Sequence, residues 1–377
     1  MNKRIYLDHN ASSPVRPEVK TRMIEVLGIE GNPSSVHMEG RGARAVLEQA
    51  RETVSSALPE QLSEVIFTSG GTEAANLALY GKRGKQEPDY ILVSAIEHAC
   101  VLEGAMALGK KVEVLPVRED GMLCLTQLEA QLQKRKNALV CVMAANNETG
   151  IIQPMKEISA CVRSNNALLF CDAVQALGKL DITTLDADIL SLSAHKIGGA
   201  QGVGAVILGR DIDVTPQMIG GGQEMARRAG TPNLAAISGF AVAIELCEKE
   251  RISRMAELGL WRDEMEDLLS QHCEDIVIFG KKQERLPNTS CFAIPNFSSE
   301  ALLMALDLAG FSVSSGSACS SGKISKSHVL AAMAVDEHLS GNALRVSFGW
   351  NSRKEDGMYF AHALTEIIHE RGRRSYG

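Results

Sequence analysis

Apolar positions along the chain form short, nearly continuous runs separated by stretches of helical periodicity. Between residues 40 and 58, Ala43, Val46, Leu47, Ala50, Val54, Ala57 and Leu58 recur at steps of three and four, which predicts an amphipathic helix with one buried face. Strand-like runs follow at 65–67, 90–94, 112–116, 138–144, 167–171, 189–193 and 203–208. They are mostly continuous and seldom alternate, as expected of strands covered on both faces. Several gaps between them are long enough for a crossover helix, so the pattern predicts an α/β protein with a mostly parallel sheet. After Gly209 the pattern changes. A Gly220-Gly221-Gly222 loop precedes a long helical stretch at 234–269. Strand-like 276–279 and 289–294 then mix with helical 299–309 and 355–371, which predicts a smaller α+β domain. The expected division is a large domain over 15–255, with 1–14 and 256–377 forming the small one, and the opening segment able to pack on either.

Composition narrows the class. The chain has 377 residues, 45% of them hydrophobic and 23% charged, with 46 acids against 39 bases and a net charge of −7. That apolar fraction is ordinary for a globular protein, and mild acidity argues against nucleic acid or an anionic membrane as partner. The longest apolar candidate for a span, 234–244, holds Ser238 and Gly239 and runs into Glu245, too short for a bilayer. The apolar run after Met1-Asn2-Lys3-Arg4 is too short for a signal peptide. The nine cysteines are an odd number with no C-x-x-C pair and no zinc spacing with His, which points to a reducing compartment, the cytoplasm, and to no metal.

In open α/β sheets ligands bind beyond the carboxyl ends of the strands, and four strand ends carry chemistry. Thr68-Ser69-Gly70-Gly71-Thr72-Glu73 combines a glycine pair, hydroxyls and a helix start, which suits a phosphate. It also suits a plain tight turn capped by Ser69 or Thr72. Asn146-Asn147-Glu148-Thr149-Gly150 reads as a turn or a polar grip. Asp172, with Gln175 three residues on, is either a helix cap or a functional acid. Ser193-Ala194-His195-Lys196 places a lysine in a setting where burial would lower its proton affinity and ready it for an aldehyde. A phosphate cradle, a carboxylate and an aldehyde-binding lysine together fit pyridoxal 5'-phosphate. His98, after the run 90–94, either stacks on such a ring or simply starts a helix.

Cys319 stands among Ser, Gly and Ala from 314 to 322, residues too small to bury its thiol, with Lys323 and Lys326 nearby to favour a thiolate. Such a thiolate can attack the sulfur of a cofactor-bound cysteine; the plain alternative is an inert surface thiol. Gly198-Gly199-Ala200-Gln201-Gly202-Val203-Gly204 follows a lysine and precedes a strand, the reverse of the dinucleotide-binding order.

These motifs, with Tyr6-Leu7-Asp8-His9-Asn10-Ala11-Ser12-Ser13-Pro14, Gly31-Asn32-Pro33-Ser34-Ser35-Val36-His37, Gly220 to Glu224, Arg227-Arg228-Ala229-Gly230-Thr231 and Ser314 to Cys319, resemble the NifS/IscS-type cysteine desulfurases of the class V aminotransferase superfamily. The resemblance runs over nearly the whole chain. It implies a fold-type-I pyridoxal-phosphate transferase, with a seven-stranded, mostly parallel sheet in the large domain, acting as a homodimer on L-cysteine. It implies that Lys196 binds the cofactor aldehyde, Asp172 its ring nitrogen, Gln175 its phenolic oxygen, and that His98 stacks on the ring and relays protons. Gly71, Thr72, Ser193 and His195 would bind phosphate, Thr231 the phosphate in the other subunit, and Asn147 and Arg345 the substrate carboxylate. Cys319 would receive sulfur as a persulfide and pass it to a partner, an Fe–S scaffold or a tRNA-thiolating enzyme. The chain departs from the family pattern at Gly71, usually Ala, and at Gly199-Ala200-Gln201, usually Gly-Pro-Lys. A selenocysteine lyase or another class V lyase or aminotransferase is the alternative activity.

Overall fold

The computed structural model describes residues 4–316 and 326–375. The chain opens with β1 (Ile5–Tyr6), α1 (Pro17–Leu27) and α2 (Met38–Ser56). Proline at the first position of α1 gives up an N–H that no helical carbonyl would have met. Strands and helices then alternate through β2 (Leu62–Thr68), α3 (Gly71–Tyr80), β3 (Tyr90–Ser94), α4 (Ala99–Ala107), β4 (Lys111–Leu115) and α5 (Leu125–Lys134). The alternation continues with β5 (Ala138–Met143), α6 (Met155–Ser164), β6 (Leu168–Asp172), β7 (Ile189–Ser193) and β8 (Gly204–Gly209).

These strands form a seven-stranded sheet in the order β2-β8-β7-β6-β5-β3-β4. β8 runs antiparallel to both of its neighbours, and the other pairings are parallel. The two faces divide the apolar residues by alternation. Val140, Val142, Leu169, Cys171 and Ile207 enter one core with α2, α5 and α6. Leu139, Cys141, Phe170 and Val206 enter the other with α3 and α4. Continuous apolar runs are the sequence signature of that double burial.

The long helix α7 (Leu234–His272) joins this layer to a second one. Its residues Ala236 to Cys247 pack in the first core, and Leu258, Met265 and Leu269 pack in another. That second core is closed by β9 (Val277–Ile278), β10 (Thr289–Ala293), α8 (Ser299–Leu308), β11 (Phe311–Ser312) and β12 (Ser314–Ser315). α9 (His328–Ala332) and α10 (Glu337–Ser340) pack with Ile96, Ile151 and Phe279 in a separate cluster, while β13 (Ala343–Ser347) and α11 (Lys354–Ser375) complete the second core. Its four-stranded antiparallel sheet has the order β12-β13-β10-β9. The opening segment touches both layers. β1 pairs in parallel with β11, while the Ser13 N–H donates to the His195 carbonyl at 2.7 Å. Among the described residues no helix is long and apolar enough to cross a membrane.

Candidate active site

The carboxyl ends of β2, β3, β5, β6 and β7 open into one cavity of about 310 Å³. Its wall includes nine of the residues singled out from the sequence: Gly71, Thr72, His98, Asn147, Asp172, Gln175, Ser193, His195 and Lys196. Register brings the first group together, because Thr68 and Ser193 both lie opposite Gly204. A Cβ at Gly204 would stand 2.5 Å from the Leu192 carbonyl oxygen and 2.8 Å from the Gly70 Cα, so only glycine lets the β2–α3 turn cross the end of β8.

α3 begins with Gly70 at its cap and no side-chain hydrogen bond there. The expected Ser69 or Thr72 cap is thus absent, and Glu73 instead accepts the Ser69 N–H at 2.7 Å while paired with Arg228 at 2.8 Å. An uncapped first turn leaves N–H groups and the positive helix end for an anion. Ser193 adds a hydroxyl that is 1% exposed and has no hydrogen-bond partner among the described residues. His195 is held neutral, its proton affinity pushed down to about 4 by burial and by the neighbouring Lys196.

Asp172 is the last residue of β6 and faces the cavity from its floor. Its Oδ1 accepts the Val174 N–H at 2.9 Å and the Ser191 hydroxyl at 3.1 Å. Burial nevertheless raises its carboxyl above the ordinary range, against the pull of those bonds and of His98 and Lys196. Glu97, fully buried, is pushed up further by burial and then by Asp172. Its Oε1 accepts the Met143 N–H at 2.6 Å and its Oε2 has no partner among the described residues. His98 caps α4, its Nδ1 accepting the Cys100 N–H at 3.2 Å. A backbone N–H can only donate, so the neutral ring carries its proton on Nε2.

Lys196 leaves β7 on a single tight turn, Ala194–Lys196. Its Nζ donates to the carbonyls of Asn10 at 2.6 Å and Ala11 at 2.9 Å. Gln175 donates from Nε2 to the same Asn10 carbonyl at 3.0 Å. Arg345 is 1% exposed and does not line the cavity; it reaches the Asn147 carbonyl at 3.0 Å and Asp8 at 2.8 Å. Thr231 is exposed and away from the cavity. Cys319 lies outside the described residues.

Asn10, Cys100 and Lys179 take part without having been singled out. Asn10 sits inside the Tyr6–Pro14 motif, and Cys100 stands two residues past His98, so proximity in sequence to marked positions was the available signal.

The sequence model of the class-V aminotransferase family matches residues 5–360. The chain is 37% identical over 380 residues to the cysteine desulfurase IscS of Dictyoglomus turgidum, covering 98% of this chain and 95% of that protein. It is 39% identical over 364 residues to the IscS-like cysteine desulfurase of Mycobacterium tuberculosis, covering 93% of each. The solved structure of a NifS-like protein from Rickettsia africae superposes with a TM-score of 0.88 at 33% identity, over 97% of this chain and 99% of that one. The chain belongs to the class-V aminotransferase family and, within it, to the IscS/NifS-type cysteine desulfurases.

Proposed function

We propose that the protein removes the sulfur of L-cysteine and releases L-alanine, using pyridoxal 5'-phosphate held in the cavity at the strand ends. The observation that carries this reading is the convergence of Lys196, Asp172, His98 and the uncapped start of α3 on one space. The residues fit the coenzyme. The partnerless Ser193 hydroxyl and the free turn of α3 suit its phosphate, with Gly71, Thr72 and His195 beside them. The buried Asp172 carboxyl suits its ring nitrogen, and the Lys196 amine on the same cavity wall suits its aldehyde. When bound, the coenzyme supplies an aldehyde and an electron-withdrawing ring.

In this reading Asp172 would hold a proton at the ring nitrogen of the bound coenzyme, and Gln175 would donate to its phenolic oxygen. Lys196 would take the aldehyde and move a proton at the substrate Cα. His98 would pack on the ring and move protons at Nε2. Asn147, at the cavity wall, and Arg345, which is bonded to the Asn147 carbonyl and does not itself line the cavity, would hold the substrate carboxylate; among the described residues the buried Arg345 Nε has no partner and is a spare donor of that fork. The Cys319 thiolate attacks the substrate sulfur: an S–S bond forms, the C–S bond breaks, and the carbon fragment takes up a proton and leaves as alanine. Cys319 is left as a persulfide for an acceptor, an Fe–S scaffold or a tRNA-thiolating enzyme. We place the activity in the cytoplasm. It belongs to a homodimer, in which the exposed Thr231 completes the phosphate site of the other subunit. The change of core along α7 between Cys247 and Leu258 supports a domain division near residue 255.

Purified protein loaded with pyridoxal phosphate and given L-cysteine with a thiol reductant should release alanine and sulfide in equal amounts. Cys319→Ala should stop sulfide release while the cofactor stays bound. Unchanged turnover in that variant would remove Cys319 from the reaction, and no alanine from the parent protein would remove the activity.

A further inference from the structure

Lys179 is a lysine hidden from solvent, 9% exposed, in the turn that follows Gln175. Lysine is rarely buried unless a carboxylate meets it. Its hydrogen-bond partners among the described residues are both on Gln175: the carbonyl oxygen at 3.1 Å and the side-chain Oε1 at 2.8 Å. Burial and the charge of Lys196 push its proton affinity down to about 7. A lysine kept there for bulk alone would be better replaced by methionine or leucine, so its amine has a use that offsets this cost.

That use follows from what an amine can do. Charged or neutral, Nζ carries N–H groups and donates to Oε1. A primary amide has one donor end and one acceptor end, and its orientation is set by its partners. With Oε1 taken by Lys179, Nε2 is turned the other way, where it donates to the Asn10 carbonyl at 3.0 Å. The same carbonyl receives the Lys196 amine at 2.6 Å. A continuous chain therefore runs from Lys179 through the Gln175 amide and the Asn10 carbonyl to Lys196. Lys179 and Lys196 also line one small void of about 40 Å³.

We propose that Lys179 is a positioning residue that locks the Gln175 amide with its N–H end toward the cofactor cavity. The inference rests on the pyridoxal-phosphate reading above. In the bound state Gln175 presents a donor, never an acceptor, to the oxygen of the cofactor ring. Without Lys179 only the Asn10 carbonyl orients the amide, and the orientation that sets its oxygen against that ring oxygen becomes accessible.

The test uses the full chain, stripped of cofactor and reloaded. Lys179→Met keeps length and removes the donor; it should weaken pyridoxal phosphate binding about tenfold, the worth of one well-placed hydrogen bond. It should also shift the absorption maximum of the bound cofactor. Gln175→Ala should do the same, and the double variant should be no worse than either single one. Lys179→Gln, whose amide still offers an N–H to Oε1, should fall between parent and Lys179→Met and serves if the methionine variant does not fold. An unshifted spectrum with unchanged affinity in the Lys179 variants, or losses that simply add, would overturn the proposal. Failure of the parent chain to take up pyridoxal phosphate would instead overturn the reading beneath it.

Discussion

Arg285 and Glu266, in the layer of the smaller sheet, are as hidden from water as the acids at the ends of β3 and β6, yet the two regions treat buried charge in opposite ways. Arg285 meets Glu266 with two parallel bonds of 2.8 and 2.9 Å, and the side chains are 4% and 2% exposed. Each charge is answered. At the strand ends, burial raises both acids and Asp172 raises Glu97 further, Glu97 Oε2 and Ser193 Oγ lack partners, and no arginine is paired with either acid among the described residues. Polar networks left incomplete inside a protein cost stability, so a fold keeps them where a ligand completes them. An ion pair that holds structure thus differs from a set of groups that a bound cofactor would complete.

Breaking the answered pair should have the larger effect. Arg285→Met leaves the Glu266 charge buried and alone, and should lower the unfolding free energy by about 3–5 kcal/mol, read by denaturant titration. Replacing both residues with apolar side chains of similar volume should recover most of that loss. Turnover per folded molecule should stay near the parent value in both.

At the strand ends the effect depends on pH. Burial raises the Glu97 carboxyl, so the folded cofactor-free protein holds a proton that the unfolded chain gives up. Stability then falls as pH rises above the ordinary carboxylate range and is recovered below it. Glu97→Gln cannot lose that proton. Its melting temperature should exceed the parent's by about 2 °C at pH 8, with the gap closing toward pH 4. A gap that is constant with pH would mean that Glu97 does not carry the proton.

The smallest change sharpens the contrast. Ser193→Ala removes a hydroxyl without a partner, so the cofactor-free protein should melt within a degree or so of the parent. Affinity for pyridoxal phosphate should fall about fivefold, since the hydroxyl finds its partner only there. Equal losses with and without the cofactor would make Ser193 a structural residue.

Legibility in the sequence follows the same physics. The strands at 90–94 and 189–193 match the structure residue for residue, because double burial fills them with apolar side chains and admits only small hydroxyls, Ser94, Ser191 and Ser193. The strand placed at 112–116 begins one residue earlier, at Lys111: β4 is an edge strand, and exposure lets charged residues into it. β1, β11 and β12 are two residues long each, too short for any periodicity to register. Nine site residues were marked because strand ends concentrate unusual polar chemistry. Lys179 was not, since a lone lysine after a glycine looks solvated and its burial is a tertiary fact. Glu97 was passed over beside the more conspicuous His98 for the same reason.

The central claim is that Lys196 binds the cofactor aldehyde. The most direct measurement is borohydride reduction of the protein loaded with pyridoxal phosphate, followed by peptide mapping by mass spectrometry. The account predicts a single phosphopyridoxyl group, on the peptide carrying Lys196, and none in Lys196→Ala. A label on Lys179 or on surface lysines, with Lys196 unmodified, would contradict it.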